Sequence, residues 1–386
     1  MIKNLFSVVS IKKLEIAFGL ALFSFMLMHR SYLGLKEGLS LLPITILSLP
    51  VLIVFIWGVW LPRKKWVILL LLAVLFFYTG LRLYRGNANL LAEGDRDDAV
   101  VMLAQGLLDG KALNAERTFL DGAITTGPVS GVLVLPFVYF FGSNNVLSWI
   151  LFALLLGAFY LRRGNFDSPL IGISMAVLVF YPRFNWCYWE AGEELLYGWV
   201  FIFPAVWIAG KMIAGATGHS LKYTVLLGVL LGLAVGVRIA YAIPVVFLLA
   251  LLMFYGKAKQ AFLAALIAMG VFFLSCLPYI VFSSPEQFFN ELLFKVWLPR
   301  GKSGSPFLLV FVTITAFFSF KRKLNPAAGV ILAAMAGHIY TGLFLIPWHI
   351  YYWILPIVFW LPDFGEWLGK RGIISFEADQ YGRKKI

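Results

Sequence analysis

The sequence is poor in charge, in acidic residues and in cysteine. Only 13% of its 386 residues are Asp, Glu, Lys or Arg, about half the share of roughly 25% found in soluble domains. A globule of this length would lack the polar surface to cover itself, which excludes a soluble enzyme and a disordered chain. Two cysteines, Cys187 and Cys276, leave room for one bridge at most; they exclude a disulfide framework and a cysteine-based metal cluster. Acids are outnumbered, with 19 Asp+Glu against 32 Lys+Arg and a net charge of +13. A small-residue cleavage site after the first apolar run is also lacking, so that run reads as a span and not as a leader. No repeat with a period of 20–50 residues is visible.

What is abundant is apolar surface: 61% hydrophobic and 17% aromatic residues, with a mean hydropathy of +0.88. Long unbroken apolar runs suit membrane helices and not alternating barrel strands. Runs near 14–34, 40–61, 66–83, 145–161, 168–183, 195–212, 221–237, 239–255, 260–282, 305–320, 327–346 and 348–368 predict an all-α polytopic protein of about twelve transmembrane helices. The segment 128–142, "PVSGVLVLPFVYFFG", is short and carries Pro128 and Pro136. It is expected to dip into the membrane and return at Gly142 rather than to span. The organisation expected is one transmembrane domain: three spans in 1–83, an outer loop over 84–144, the remaining spans over 145–368, and a tail over 369–386.

Basic residues sit in short clusters at span ends, among them Arg63, Lys64 and Lys65; Arg162 and Arg163; Lys257 and Lys259; Lys321, Arg322 and Lys323; and Arg383, Lys384 and Lys385. With both termini in the cytoplasm, the inner side carries all of the net positive charge and the outer side is close to balanced, with a slight excess of acids. The positive-inside rule therefore supports this topology, and counting 128–142 as a span would place "KRK" 321–323 outside. Clusters at span ends do not form a nucleic-acid stripe, so no nucleic-acid partner is expected. The expected location is a multi-pass protein of a bacterial inner membrane, surrounded by the lipid bilayer.

Candidate chemistry concentrates on the outer side. "LAEGDRDDAVVMLAQGLLDGK" crowds Glu93, Asp95, Asp97 and Asp98 ahead of Val100, Val101, Leu103, Ala104, Leu107 and Leu108. That pattern predicts an amphipathic helix lying on the bilayer, with Asp97 or Asp98 as its N-cap. The plain reading is a solvated cap. The functional one is a general base, and a divalent cation, if one is used, would bind at this acidic loop. Arg238 interrupts about 35 apolar residues at the outer end of 221–237, where a charge is costly and suits a phosphate held bidentately; the alternative is a structural Arg paired with an outer acid. In "YPRFNWCYWEAGEELL", Glu190, Glu193 and Glu194 lie among Trp189 and other aromatics, either as an interfacial belt or as a surface for sugar stacking and acceptor hydroxyls. Glu193 and Glu194 are also candidate partners of Arg238. Lys295, Arg300 and Lys302 are basic where the rule expects few cations, which suits an anionic ligand or ordinary headgroup contact. His349, beside Tyr351 and Tyr352, is an interfacial histidine able to donate to a phosphate.

In this order the pieces resemble the GT-C superfamily of membrane glycosyltransferases. "LAQGLLDGK" looks like the family's "IAxxLLxG" helix, and "GPVSGVLVLPFVYFFG" its Pro-containing juxtamembrane segment. "GVLLGLAVGVRIAYAIPVVFLL" is similar to its "GxxxGxxxxxRxxxxxxxP" helix, and "HIYYWILPI" to its late "RYxxPxxP" helix. The resemblance runs from about Gly94 to Pro356. It implies transfer of a sugar from a polyprenyl-phosphate donor to a glycolipid or glycan acceptor on the outer face, without a nucleotide sugar. By position it implies Asp97 as base, with Asp95 and Asp98 as rivals, Arg238 near the carrier phosphate, and His349 where many members carry Arg or His. Two departures stand out. Three spans precede the acidic loop where the family usually has one, and "DRDD" replaces its Asp-Glu pair. Outside the family, the competing readings are a transporter or flippase of lipid-linked saccharides and a non-catalytic subunit.

Overall fold

The computed structural model describes residues 70, 73 and 77, together with 95–111, 126–161, 195–216, 221–282 and 306–334. Contacts divide the chain into two units; apart from Leu70, all of these residues belong to the unit formed by 71–162 and 183–357. Among the described residues every regular element is helical and none is a strand.

Helix α1 spans Asp95–Leu108, α2 Pro128–Phe141, α3 Asn145–Leu161, α4 Leu195–Ile213, α5 Leu221–Val237, α6 Ala242–Phe254, α7 Ala258–Phe282 and α8 Pro306–Lys321. A single 3-10 turn, Ile239–Tyr241, joins α5 to α6. Residues 326–334 are again helical. Among the described residues two helical stretches, Leu196–Ile213 and Ala258–Phe282, are long and apolar enough to cross a membrane. The pair α2 and α3 makes a third if it is counted as one broken span, bent by 120°. The helices α5 and α6 are shorter; α6, with 13 residues, is about 20 Å long against a hydrocarbon core of about 30 Å. The expected spans near 14–34, 40–61, 168–183 and 348–368 lie outside the described residues, as do most of 66–83 and the latter part of 327–346.

The expected break in the apolar run 221–255 is present, and proline explains its position. Pro244 would press its ring on the carbonyl four residues earlier in a continuous helix. The chain instead ends α5 at Val237, turns through Ile239–Tyr241, and restarts at Ala242. Pro244 then falls in the first turn of α6, where its missing N–H costs no helical bond.

The central pairing is α5 against α7. Gly228, Gly232 and Gly236 recur every fourth residue on α5 and face Ala264 with Ile267, Ala268 with Val271, and Ser275, respectively. A side chain at Gly232 would run into the backbone of Ala268. Such small-residue seams let membrane helices approach closely, where lipid gives no hydrophobic drive to associate. Advancing together in number, the contacts make α5 and α7 parallel, with α6 returning between them in sequence. The outer flank of α7 is apolar and exposed at Phe262, Leu266, Leu274 and Val281, as a lipid-facing surface would be.

The acidic helix departs from expectation in two ways. Its helical residues already include Asp95, so Asp97 and Asp98 lie inside the first turns and neither is the N-cap. Its apolar face does not rest on the bilayer. Ala99, Val100, Leu103 and Ala104 are buried, and Ala99 and Leu103 pack with Cys276 and Tyr279 of α7. Protein offers this face better packing than lipid does, and the helix is taken into the bundle. Cys276 is a free, buried thiol.

Candidate functional site

The end of α5 and the start of α2 meet at one end of the bundle, against α7 and α1, and unsatisfied backbone groups explain how. The last carbonyls of a helix have no intrahelical partner. That of Val237, at the end of α5, accepts the Gly127 N–H at 2.8 Å and the Ser130 hydroxyl at 3.2 Å. The Pro128 carbonyl, at the start of α2, accepts the Tyr279 hydroxyl of α7 at 3.0 Å. Two glycines make this possible. A Cβ on Gly127 would strike the carbonyls of Gly236 and Val237, and one on Gly131 would strike Tyr279 and Leu103. Residues 127–131 therefore bind the end of α5 on one side and α1 with α7 on the other.

Arg238 follows directly on Val237. It is half-buried, with its N–H on the Ala234 carbonyl at 3.4 Å and its own carbonyl accepting from Tyr241 at 3.0 Å. It thus sits at the junction through which α1 is attached. The backbone of Asp95, Asp97 and Asp98 lies in the first turns of α1. Their side chains lie outside the described residues.

A second polar knot adjoins the turn. α2 ends at Gly142, whose left-handed φ of 68° suits glycine and whose N–H caps onto Val138. Asn144 and Ser148, at the start of α3, both bond the Tyr197 hydroxyl of α4, at 3.3 and 2.9 Å. All three residues are buried. Next to them Tyr241 packs flat against Gly198 and edge-on to Trp199, with ring centroids 5.7 Å apart. The last residue of the turn that follows Arg238 is thereby fixed against the start of α4.

Of the residues singled out in the sequence, the structure describes Arg238 and the backbone of Asp95, Asp97 and Asp98. Trp189, Glu190, Glu193, Glu194, Arg300, Lys302, His349 and Tyr351 lie outside the described residues. Sequence reasoning missed Ser130, Tyr279, Asn144, Ser148 and Tyr197. The polar string "SNN" at 143–145, between two apolar runs, was the one signal for a buried polar contact there; nothing local marks Tyr279. Among the described residues no cluster of His, Cys, Asp and Glu has the arrangement to hold a metal ion. No protein-family model, curated protein or solved structure matches the chain.

Proposed function

We propose that the protein is a membrane glycosyltransferase that moves a sugar from a polyprenyl-phosphate donor to a glycolipid or glycan acceptor on the extracytoplasmic face. The observation that carries this reading is the shared junction at 127–131. It fastens the helix bearing Asp95, Asp97 and Asp98 and the turn bearing Arg238 to the same few residues. A carboxylate and a guanidinium held on one frame suit a displacement at an anomeric carbon with phosphate departing.

In the proposed reaction the acceptor hydroxyl loses its proton to the Asp97 carboxylate as its oxygen attacks the anomeric carbon. The bond from that carbon to the carrier phosphate breaks, and the electron pair leaves with the phosphate. Arg238 stabilises the growing charge, assisted by Arg300, Lys302 or His349. A single displacement inverts the anomeric carbon. Glu190, Glu193, Glu194, Trp189 and Tyr351 hold sugar and acceptor. The orientation proposed has both termini in the cytoplasm and this end of the bundle outside, following the positive-inside rule.

A lipid-linked saccharide flippase is the second reading. It is favoured by the 120° bend between α2 and α3, since transporters build sites from broken helices. Labelled polyprenyl-phosphate sugar added to the purified full chain with a lipid acceptor extract separates the readings. Label in the acceptor is the expected result. Uptake into vesicles without transfer points to the flippase, and neither outcome points to a non-catalytic subunit.

A further inference from the structure

The end of the bundle opposite the junction is built on positive charge. Ring contacts of Phe254 with Phe317 at 5.5 Å and of Tyr255 with Phe320 at 5.0 Å join the C-terminal ends of α6 and α8. This brings Lys257 and Lys259 to the same end as Lys321, Arg322 and Lys323. Gly210 lies against Pro326, which adds Lys211. The described acids are Asp95, Asp97 and Asp98 on α1 and Asp109 just after it, beside the Gly110 that lies against Phe282 at the far end of α7, so this end has none of them.

Helix energetics alone do not account for these cations. Lys321 at the end of α8 suits the helix dipole, but Lys259 lies in the first turn of α7, where a positive charge opposes it. Lys323 is the sharper case. The end of α8 closes with the Lys323 N–H on Phe320 and the Leu324 N–H on Ser319, a Schellman turn that needs a left-handed residue. Lys323 adopts it with φ 49°, the only non-glycine at positive φ among the described residues, whereas Gly110, Gly142, Gly215 and Gly256 hold the other such positions. A side chain there costs roughly 1–2 kcal/mol, a cost that glycine would avoid.

We propose that the ends of α6 and α8 form a binding site for an anionic phospholipid, with its phosphate among Lys257, Lys321, Arg322 and Lys323. The apolar strip above them supplies the acyl-chain contact. Phe311, Ile314, Phe317 and Phe318 of α8 are all exposed, and Lys321 and Arg322 lean over the Phe317 and Phe318 rings at 5.4 and 5.5 Å. Cations lying over such a strip match a headgroup whose chains run down it.

The test uses the full chain in detergent micelles and follows its thermal midpoint with added phosphatidylglycerol, phosphatidylcholine or inorganic phosphate. Phosphatidylglycerol is expected to raise the midpoint, and the other two to leave it unchanged. An equal rise with inorganic phosphate overturns the lipid assignment, and an equal rise with phosphatidylcholine overturns the charge recognition. The variant Lys321→Gln/Arg322→Gln/Lys323→Gly should need at least ~10-fold more phosphatidylglycerol for the same rise, from about 1 kcal/mol per cation near an anionic surface. If that variant does not fold, Lys323→Gly alone serves, because it relieves the left-handed strain. It should keep or raise the lipid-free midpoint and require several-fold more phosphatidylglycerol. An unchanged lipid response in either variant refutes the site.

Discussion

The two ends of this bundle are held by different physics. At the end carrying Arg238, hydrogen bonds run between elements far apart in sequence: Ser130 to Val237, Tyr279 to Pro128, and Asn144 and Ser148 to Tyr197. At the basic end the described hydrogen bonds are local helix closures and returns such as Ser319 to Thr315, and rings meet across helices. Where helix ends and a 3-10 turn converge, backbone groups need partners from other elements, because lipid supplies none. Meeting that need fixes the geometry of the end. The basic end has regular caps, so its cations stay on a surface that headgroups and water can reach.

The contrast breaks most severely at Gly127. Gly127→Val would push a side chain into the carbonyls of Gly236 and Val237, with an expected loss of about 3 kcal/mol, read as a large fall in thermal midpoint. Tyr197→Phe is the next largest. It leaves Asn144 and Ser148 without their shared hydroxyl and should cost about 1.5 kcal/mol, near the upper range for interhelical hydrogen bonds in membrane proteins. Tyr279→Phe removes the single bond to the Pro128 carbonyl, for about 0.6 kcal/mol. Phe320→Leu at the basic end should fall in the same small range, because it trims ring contacts and leaves no polar group unpaired. If Tyr197→Phe proved as mild as Phe320→Leu, the two ends would not differ as described.

Much of the helical framework was legible in the apolar runs. The stretches near 145–161, 195–212, 221–237, 260–282 and 305–320 coincide closely with α3, α4, α5, α7 and α8, because continuous hydrophobicity leaves a chain little choice but helix. The return of the chain at Gly142 and the singular place of Arg238 were legible too, since glycine and an isolated charge act locally. The docking of α1 was not. Its apolar face reads the same whether lipid or protein covers it, and only Gly131, Cys276 and Tyr279 decide for protein. The helix start was misread because Asp95 and Arg96 are as compatible with a first turn as Asp97 is with a cap. Tyr197 and Tyr279 were invisible for a related reason: a hydroxyl in an apolar run shows that a partner is needed, and its partner lies 49 and 151 residues away, respectively, in sequence.

In the proposed reaction a carboxylate of α1 and Arg238 serve one displacement in different roles. The most direct measurement compares donor binding with sugar transfer in Asp97→Asn and Arg238→Ala, alongside Asp95→Asn and Asp98→Asn. Loss of the base should lower transfer in Asp97→Asn by at least ~100-fold while donor affinity stays unchanged. Loss of the guanidinium should weaken donor binding in Arg238→Ala by ~10-fold or more. Full transfer in all three aspartate variants, with unaltered donor affinity in Arg238→Ala, would contradict the account.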